Sequence, residues 1–127
     1  MPTFGKSERL CSILAIKNLF SEGHALYKHP IKIIWLPAKW DDQHQIKVVI
    51  SVSKHNFKNS VDRNRIKRIL RECFRLNKYI FEQRIKGRQA YLALIYTGKV
   101  MPEMNILEPI IIQLFHRLTD DYENRAD

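Results

Sequence analysis

The stretch from residue 60 to 75 constrains the chain more than any other. It reads Ser-Val-Asp-Arg-Asn-Arg-Ile-Lys-Arg-Ile-Leu-Arg-Glu-Cys-Phe-Arg. Ile66, Ile69, Leu70, Cys73 and Phe74 recur at the spacing that places them on one side of an α-helix. At about 100° per residue, Asn64, Arg68, Arg71 and Arg75 fall on the opposite side, with Lys67 beside them and Arg63 and Arg65 flanking the apolar stripe near the start. A helix of this kind must bury one face against a core and present a row of guanidinium groups on the other. Ser60 is the expected N-cap and the helix is expected to run to about Phe81.

The charge pattern is unfavourable for an isolated helix. Solvated faces usually alternate charge sign, whereas like charges at i,i+3 and i,i+4 repel by a few tenths of a kcal/mol per pair. Cations in the first turn also oppose the helix dipole. Only Asp62 and Glu72 offset the basic residues within the stretch. A polyanion outside the chain would supply the missing counter-charge. Arginine suits phosphate in particular, because the planar guanidinium binds two oxygens at once and stays charged. Asn64 adds a neutral donor and acceptor able to reach a base, a sugar hydroxyl or a hydrated metal.

The whole chain carries the same signal. It has 127 residues and a formal net charge of +9, with hydrophobic residues at 45%. That length and composition predict one folded domain spanning residues 1–127, and leave open whether residues 1–8 and 123–127 are ordered. Nucleic acid, an anionic membrane surface and an acidic protein are the partners that such charge admits. The longest apolar run, near residues 109–114, falls far short of the roughly 20 residues of a spanning helix. The charged N-terminus lacks the apolar segment of a secretory signal, so the expected location is the cytoplasm. Cys11 and Cys73 form no C-x-x-C pair, and free thiols are expected in a reducing compartment.

Around the basic helix, the pattern predicts a helix over residues 12–23, with Ser12 as cap and Gly23 as stop. Strands are expected at 31–36 and 46–53, paired antiparallel across the polar loop 37–45. A basic loop over 83–89 leads to a strand at 90–97. A final helix covers about 103–122, with Pro109 either marking its start near Leu107 or kinking it. The expected order is α-β-β-α-β-α, an α+β sandwich with a mixed sheet covered by helices on at least one face.

With these segments in place, the sequence resembles the bacterial ribonuclease P protein family. The resemblance rests on Arg63-Asn64-Arg65-Ile66-Lys67-Arg68, on Arg71-Glu72 and Phe74-Arg75, and on the preceding strand motif Ser51-Val52-Ser53-Lys54. Arg9-Leu10, followed by a helix ending in Phe20 and Gly23, extends it, so that it spans roughly residues 9–117. The family implies a single-domain α-β sandwich with a left-handed crossover, against the usual preference. It also implies a role as protein subunit of an endoribonuclease that removes the 5′ leader of precursor tRNA by phosphodiester hydrolysis. In that family the RNA subunit holds the catalytic Mg2+ and performs the chemistry. The protein binds that RNA one-to-one through the Arg-Asn-Arg helix, and holds the single-stranded leader in a cleft between the first helix and the sheet.

Carried over by position, Arg63, Asn64, Arg65, Lys67 and Arg68 match the RNA-contacting helix, with Arg71 and Arg75 continuing its basic face and Lys54 at the adjoining strand end. Phe20 matches a cleft aromatic. Two positions depart from the family. Ile16 stands where an aromatic is frequent and cannot stack on a base as a ring does. His55, grouped with Phe20 and Ile16 at the leader-binding cleft, replaces a second Lys and so puts an imidazole where the family often has a permanent cation. Trp35 lies near a position where the family can place a sheet aromatic, and the sequence leaves it between core and cleft.

No protein-borne catalytic or metal motif is evident. His24, His29, His44, His55 and His116 lack zinc-binding spacing, and Asp41-Asp42 and Asp120-Asp121 read as solvated carboxylates. No metal is expected on the protein itself. The competing readings are a stand-alone basic RNA-binding or ribosomal-type protein and a protein-only nuclease. The nuclease would need clustered metal ligands.

Overall fold

The computed structural model describes residues 9–10, 12–40, 45–85 and 88–125. Cys11, Asp41, Asp42, His44 and the expectation about residues 1–8 lie outside the described residues. The elements are α1 (Ile13–Glu22), β1 (His24–Lys28), β2 (Ile31–Ala38), β3 (Ile46–Val52), α2 (Ser60–Asn77), α3 (Tyr79–Glu82), β4 (Gln89–Tyr96) and α4 (Met104–Arg125). The expected α+β order holds, with one additional strand, β1, and a short turn of helix, α3.

The sheet order is β1-β2-β4-β3. β4 runs antiparallel to β2 and parallel to β3, so the sheet is mixed. The expected antiparallel pairing of the second and third strands does not occur, because β4 lies between them. Its apolar sequence suits a central strand buried on both faces: Leu92, Ala93 and Leu94 are all fully buried. The loop that follows β2 is long enough to step past one strand, a distance of roughly 10 Å. β1 pairs antiparallel with β2 at the sheet edge and alternates only weakly between half-buried and exposed, so it leaves little periodic signal.

Strand alternation sorts the sheet into two faces. Ile31, Ile33 and Trp35 of β2, Ile46 and Val48 of β3, and Leu92, Leu94 and Tyr96 of β4 join the main core beneath α2, α3 and α4. Ile34 and Ala93 face the other way, against Leu19 of α1 and Leu10. α1 begins as expected, with the Ser12 hydroxyl accepting from the Ala15 N–H. It ends at Gly23, where a Cβ would lie 2.4 Å from the Leu19 carbonyl oxygen and 2.5 Å from Ile34 Cγ2. Close approach of helix end to sheet, rather than a left-handed backbone, therefore demands the glycine: its φ is −72°.

Both ends of α2 differ from expectation, its last residue being Asn77 before the separate turn α3, whereas α4 starts close to the expected position near residue 103. Asn59, not Ser60, caps α2, its side-chain oxygen accepting from the Val61 N–H at 2.8 Å. α4 starts at Met104 and passes through Pro109. Pro109 and Asn105 are both exposed, so the carbonyl that loses its partner faces solvent rather than the core.

Cys73 of α2 is a free, buried thiol. Burial, reinforced by the Glu108 and Glu72 carboxylates, pushes it from 9.0 up to about 12. The unfolded thiol ionises near its ordinary value while the folded one keeps its proton. Stability is therefore expected to fall as pH climbs from about 9 toward about 12. Tyr96 and Tyr122, both raised by burial, act in the same direction, Arg88 opposing at Tyr122. Mass-spectrometric mapping of alkylation at pH 8 should find Cys73 unmodified in native protein and modified in denaturant. Rapid native labelling would contradict this environment.

Candidate nucleic-acid interface

The site begins with how α2 is seated. Ile66, Leu70, Cys73, Phe74 and Asn77 are its buried residues, at spacings of four, three, one and three. Phe74 packs edge-on against Phe115 of α4, which anchors the helix from below. This fixes the opposite side outward. Asn64, Arg65, Arg68 and Arg71 are exposed and Lys67 is half-buried. Arg65, Arg68 and Arg71 make no ion pair with the described residues. Three guanidinium groups thus stand along one side of a rigid rod at steps of about 4.5 Å along its axis.

Two of the expected contact residues are partly committed within the chain. Arg63 is half-buried, and its Nη1 donates to the Phe57 carbonyl at 2.8 Å and the Lys58 carbonyl at 3.0 Å, tying α2 to the loop before it. Arg75 is ion-paired with Glu72 one turn earlier. The freely presented row is accordingly shorter than the sequence pattern indicates, and is centred on Arg65, Arg68 and Arg71.

The loop from β3 to α2 carries Lys54 and His55, both exposed. Ser53 Oγ accepts from the His55 and Asn56 N–H groups, which closes the turn. Phe57 is buried with its ring 6.0 Å from that of Tyr96. Lys54 and His55 therefore stand on a fixed turn beside the N-terminus of α2.

α1 supplies a separate surface across the sheet. Its Leu19 is fully buried, Ile16 half-buried against the second cluster, and Phe20 46% exposed, available for an outside contact. On the same sheet face, Tyr91 of β4 stacks on Trp40 at 5.3 Å, with Lys47 Nζ 5.1 Å from the Trp40 ring. Sequence reading did not single out this aromatic and cationic group. The alternation of Lys47 and Val49 against Ile46 and Val48 carried its orientation, but the partner ring comes from a different strand.

Trp35 does not belong to this surface. It is fully buried on the opposite face of the sheet, because it shares strand parity with Ile31 and Ile33. Its Nε1 donates to Asp121 Oδ2 at 2.8 Å, and its ring lies 5.0 Å from Tyr122 and 4.8 Å from His24. Asp121 is correspondingly no solvated carboxylate. Burial raises its pKa, but hydrogen bonds from Arg125 and Trp35, with the charges of Arg125 and His24, outweigh burial and hold it below the usual range.

Among the described residues, no group of three or more His, Cys, Asp or Glu side chains could hold a metal ion. None of the described helices is long and apolar enough to cross a membrane. The arrangement offers anion binding along α2 and stacking beside α1.

Comparison with known proteins bears on what this arrangement serves. A model of the family Ribonuclease P matches residues 4–117. The ribonuclease P protein component of Porphyromonas gingivalis W83 is 33% identical over 132 residues, covering 98% of this chain and 94% of that protein. The component from Chlorobaculum tepidum is 31% identical over 120 residues, covering 87% and 77%. Among solved structures, the RNase P protein of Staphylococcus aureus superposes with a TM-score of 0.69 at 18% identity, covering 89% of this chain and 96% of that one. The Thermotoga maritima RNase P protein gives a TM-score of 0.69 at 22% identity, covering 87% and 96%. The structures share the fold, while the extent of the sequence matches, running through α1, the sheet, α2 and most of α4, goes further: this chain belongs to the ribonuclease P protein family.

Proposed function

We propose that the chain is the RNA-binding subunit of ribonuclease P, gripping the catalytic RNA with α2 and holding the 5′ leader of precursor tRNA against the face shared by α1 and the sheet. The observation that carries this reading is the row of Arg65, Arg68 and Arg71, exposed and without carboxylate partners among the described residues, on a helix whose other face is locked into the core. The protein's role is electrostatic and positional. Cations between two closely apposed RNAs reduce their mutual repulsion, which favours substrate binding and lowers the Mg2+ required. The Mg2+ that serves cleavage is held by the RNA subunit. A flexible leader binds through phosphates and base stacking, largely without sequence preference, and Phe20 with the Tyr91–Trp40 pair offers rings for that purpose.

Reconstitution tests the proposal. Purified protein, the matching RNA subunit and a precursor tRNA are mixed at low Mg2+, and 5′ maturation is followed. Protein-dependent cleavage supports the subunit reading. RNA binding without effect on cleavage supports a stand-alone RNA-binding protein, and cleavage by the protein alone supports a nuclease. In the same assay, Phe20→Ala should weaken binding of leader-bearing substrate by roughly 5- to 150-fold, the value of about 1–3 kcal/mol for one stacked base. Mature tRNA should be hardly affected. Equal loss on both would assign Phe20 to packing.

A further inference from the structure

Strand directions bring three connections to one end of the sheet. β1 and β2 meet there at His29 and Pro30, β3 ends there before Lys54, and β4 ends there before Thr97. The connections are tied to one another. Thr97 donates through both its N–H and its hydroxyl to the Pro30 carbonyl, at 2.8 and 3.0 Å. The Asn56 side-chain amide donates to the Thr97 and Gly98 carbonyls, at 3.4 and 3.2 Å. Gly98 leaves room for the Tyr96 ring, since a Cβ there would lie 2.4 Å from the Tyr96 hydroxyl oxygen, which itself donates to the Val100 carbonyl at 2.6 Å.

Between these connections and the start of α4 lies a half-open cavity of about 270 Å3. Buried Tyr96 and Leu107 form its floor. Val100 and Ile106 line it while remaining 74% and 59% exposed, so two large aliphatic side chains at its mouth stand in solvent. His29 and Lys99 add donors, Glu103 adds an acceptor, and the Tyr27 hydroxyl orients the His29 ring through a 3.0 Å hydrogen bond to Nδ1. The volume lies below the usual range for drug-sized ligands and suits a single flat ring system.

The surroundings select the occupant. Asn56 joins this rim directly to the loop that carries Lys54, His55 and Lys58, and that loop enters α2. Lys28 and Lys99 extend the exposed positive charge on the cavity's other flank. The cavity thus adjoins the cationic loop that leads into α2, with an apolar interior and mixed donors and acceptors at its edge. We infer that it receives one unpaired nucleobase of the RNA subunit, while Lys58 and Lys99 contact the flanking phosphates. The inference rests on the reading of α2 as the RNA-binding face. Unpaired RNA bases are recognised in this way, by apolar and ring contacts to the base plane and hydrogen bonds to its edge.

Base-specific chemical probing of the RNA subunit in the assembled complex tests the inference. Ile106 is exposed on α4, so Ile106→Trp fills the cavity mouth without adding charge, and retained thermal stability verifies its folding. Wild-type protein should suppress reactivity at an unpaired nucleotide. Ile106→Trp should restore that reactivity and weaken affinity about 10-fold, the order of one lost base contact, with the salt dependence unchanged. Arg68→Ala should weaken affinity and flatten the salt dependence while leaving that nucleotide protected once the complex is saturated. The inference is overturned if the wild-type and Ile106→Trp complexes give identical reactivities and equal affinities while Arg68→Ala still weakens binding. If Arg68→Ala also leaves affinity unchanged, the reading of α2 has failed, and this inference fails with it.

Discussion

Replacing Arg65, Arg68 and Arg71 together with alanine is expected to lower affinity for the RNA subunit by about 10²- to 10³-fold at moderate salt, while leaving the protein folded. Each exposed guanidinium can make charge-assisted hydrogen bonds to phosphate, worth about 1.5 kcal/mol or more each, or roughly tenfold in affinity. Three such losses approach the upper figure if they add, and overlapping contacts bring the total toward the lower one. The slope of log affinity against log salt concentration should flatten by about 2 to 3, because each phosphate contact contributes about 0.7 to 0.9 to that slope. Thermal stability should hold or rise, since the substitutions relieve i,i+3 repulsion and install the best helix former on an exposed face. Arg75→Ala should do less to binding, because Glu72 already compensates that charge. A slope unchanged in the triple variant would remove phosphate binding from this face.

The strength of the α2 signal explains why it was legible. Both faces of one continuous segment declare themselves: Ile66, Leu70, Cys73 and Phe74 by periodicity, and the arginines by an unfavourable like-charge row. Such a segment needs no knowledge of its neighbours to be read. The internal partners of Arg63 and Arg75 were less visible. The Glu72 pairing was available at i,i+3, but the Arg63 contacts depend on how the loop before α2 returns to the helix. Strand pairing was not legible at all, because nothing in 31–38 or 46–52 announces that a strand some 40 residues later inserts between them. The cavity at the end of the sheet escaped for a similar reason. His29 lies far in sequence from Gly98 and Ile106, and hydrogen bonds from Thr97 and Asn56 to backbone carbonyls bring the connections together.

Trp35 marks the point where a family likeness and strand parity point in different directions, and mutation distinguishes them. Trp35→Ala should cost about 3–5 kcal/mol, the usual loss for a large aromatic removed from a packed core. Its midpoint of thermal unfolding should fall by roughly 10–20 °C for a domain of this size. Trp35→Phe retains most of the volume but removes the N–H that donates to Asp121. It should cost about 1–2 kcal/mol, the desolvation of one under-satisfied acceptor. The pH response carries a further signature. The folded Asp121 carboxyl sits below its ordinary range, so its contribution to stability is present above the unfolded value and is lost as pH falls through the folded one. Losing the Trp35 donor raises the folded value and shrinks that contribution. Trp35→Phe should therefore show a smaller loss of stability than wild type on acidification through this carboxylate's range. Phe20→Ala, at a 46% exposed position, should show the reverse profile, with weakened leader binding and little change in unfolding temperature. If Trp35→Phe instead impaired leader-bearing substrate selectively and left stability intact, the side chain would have to face the cleft, and the assignment of the two sheet faces would be wrong.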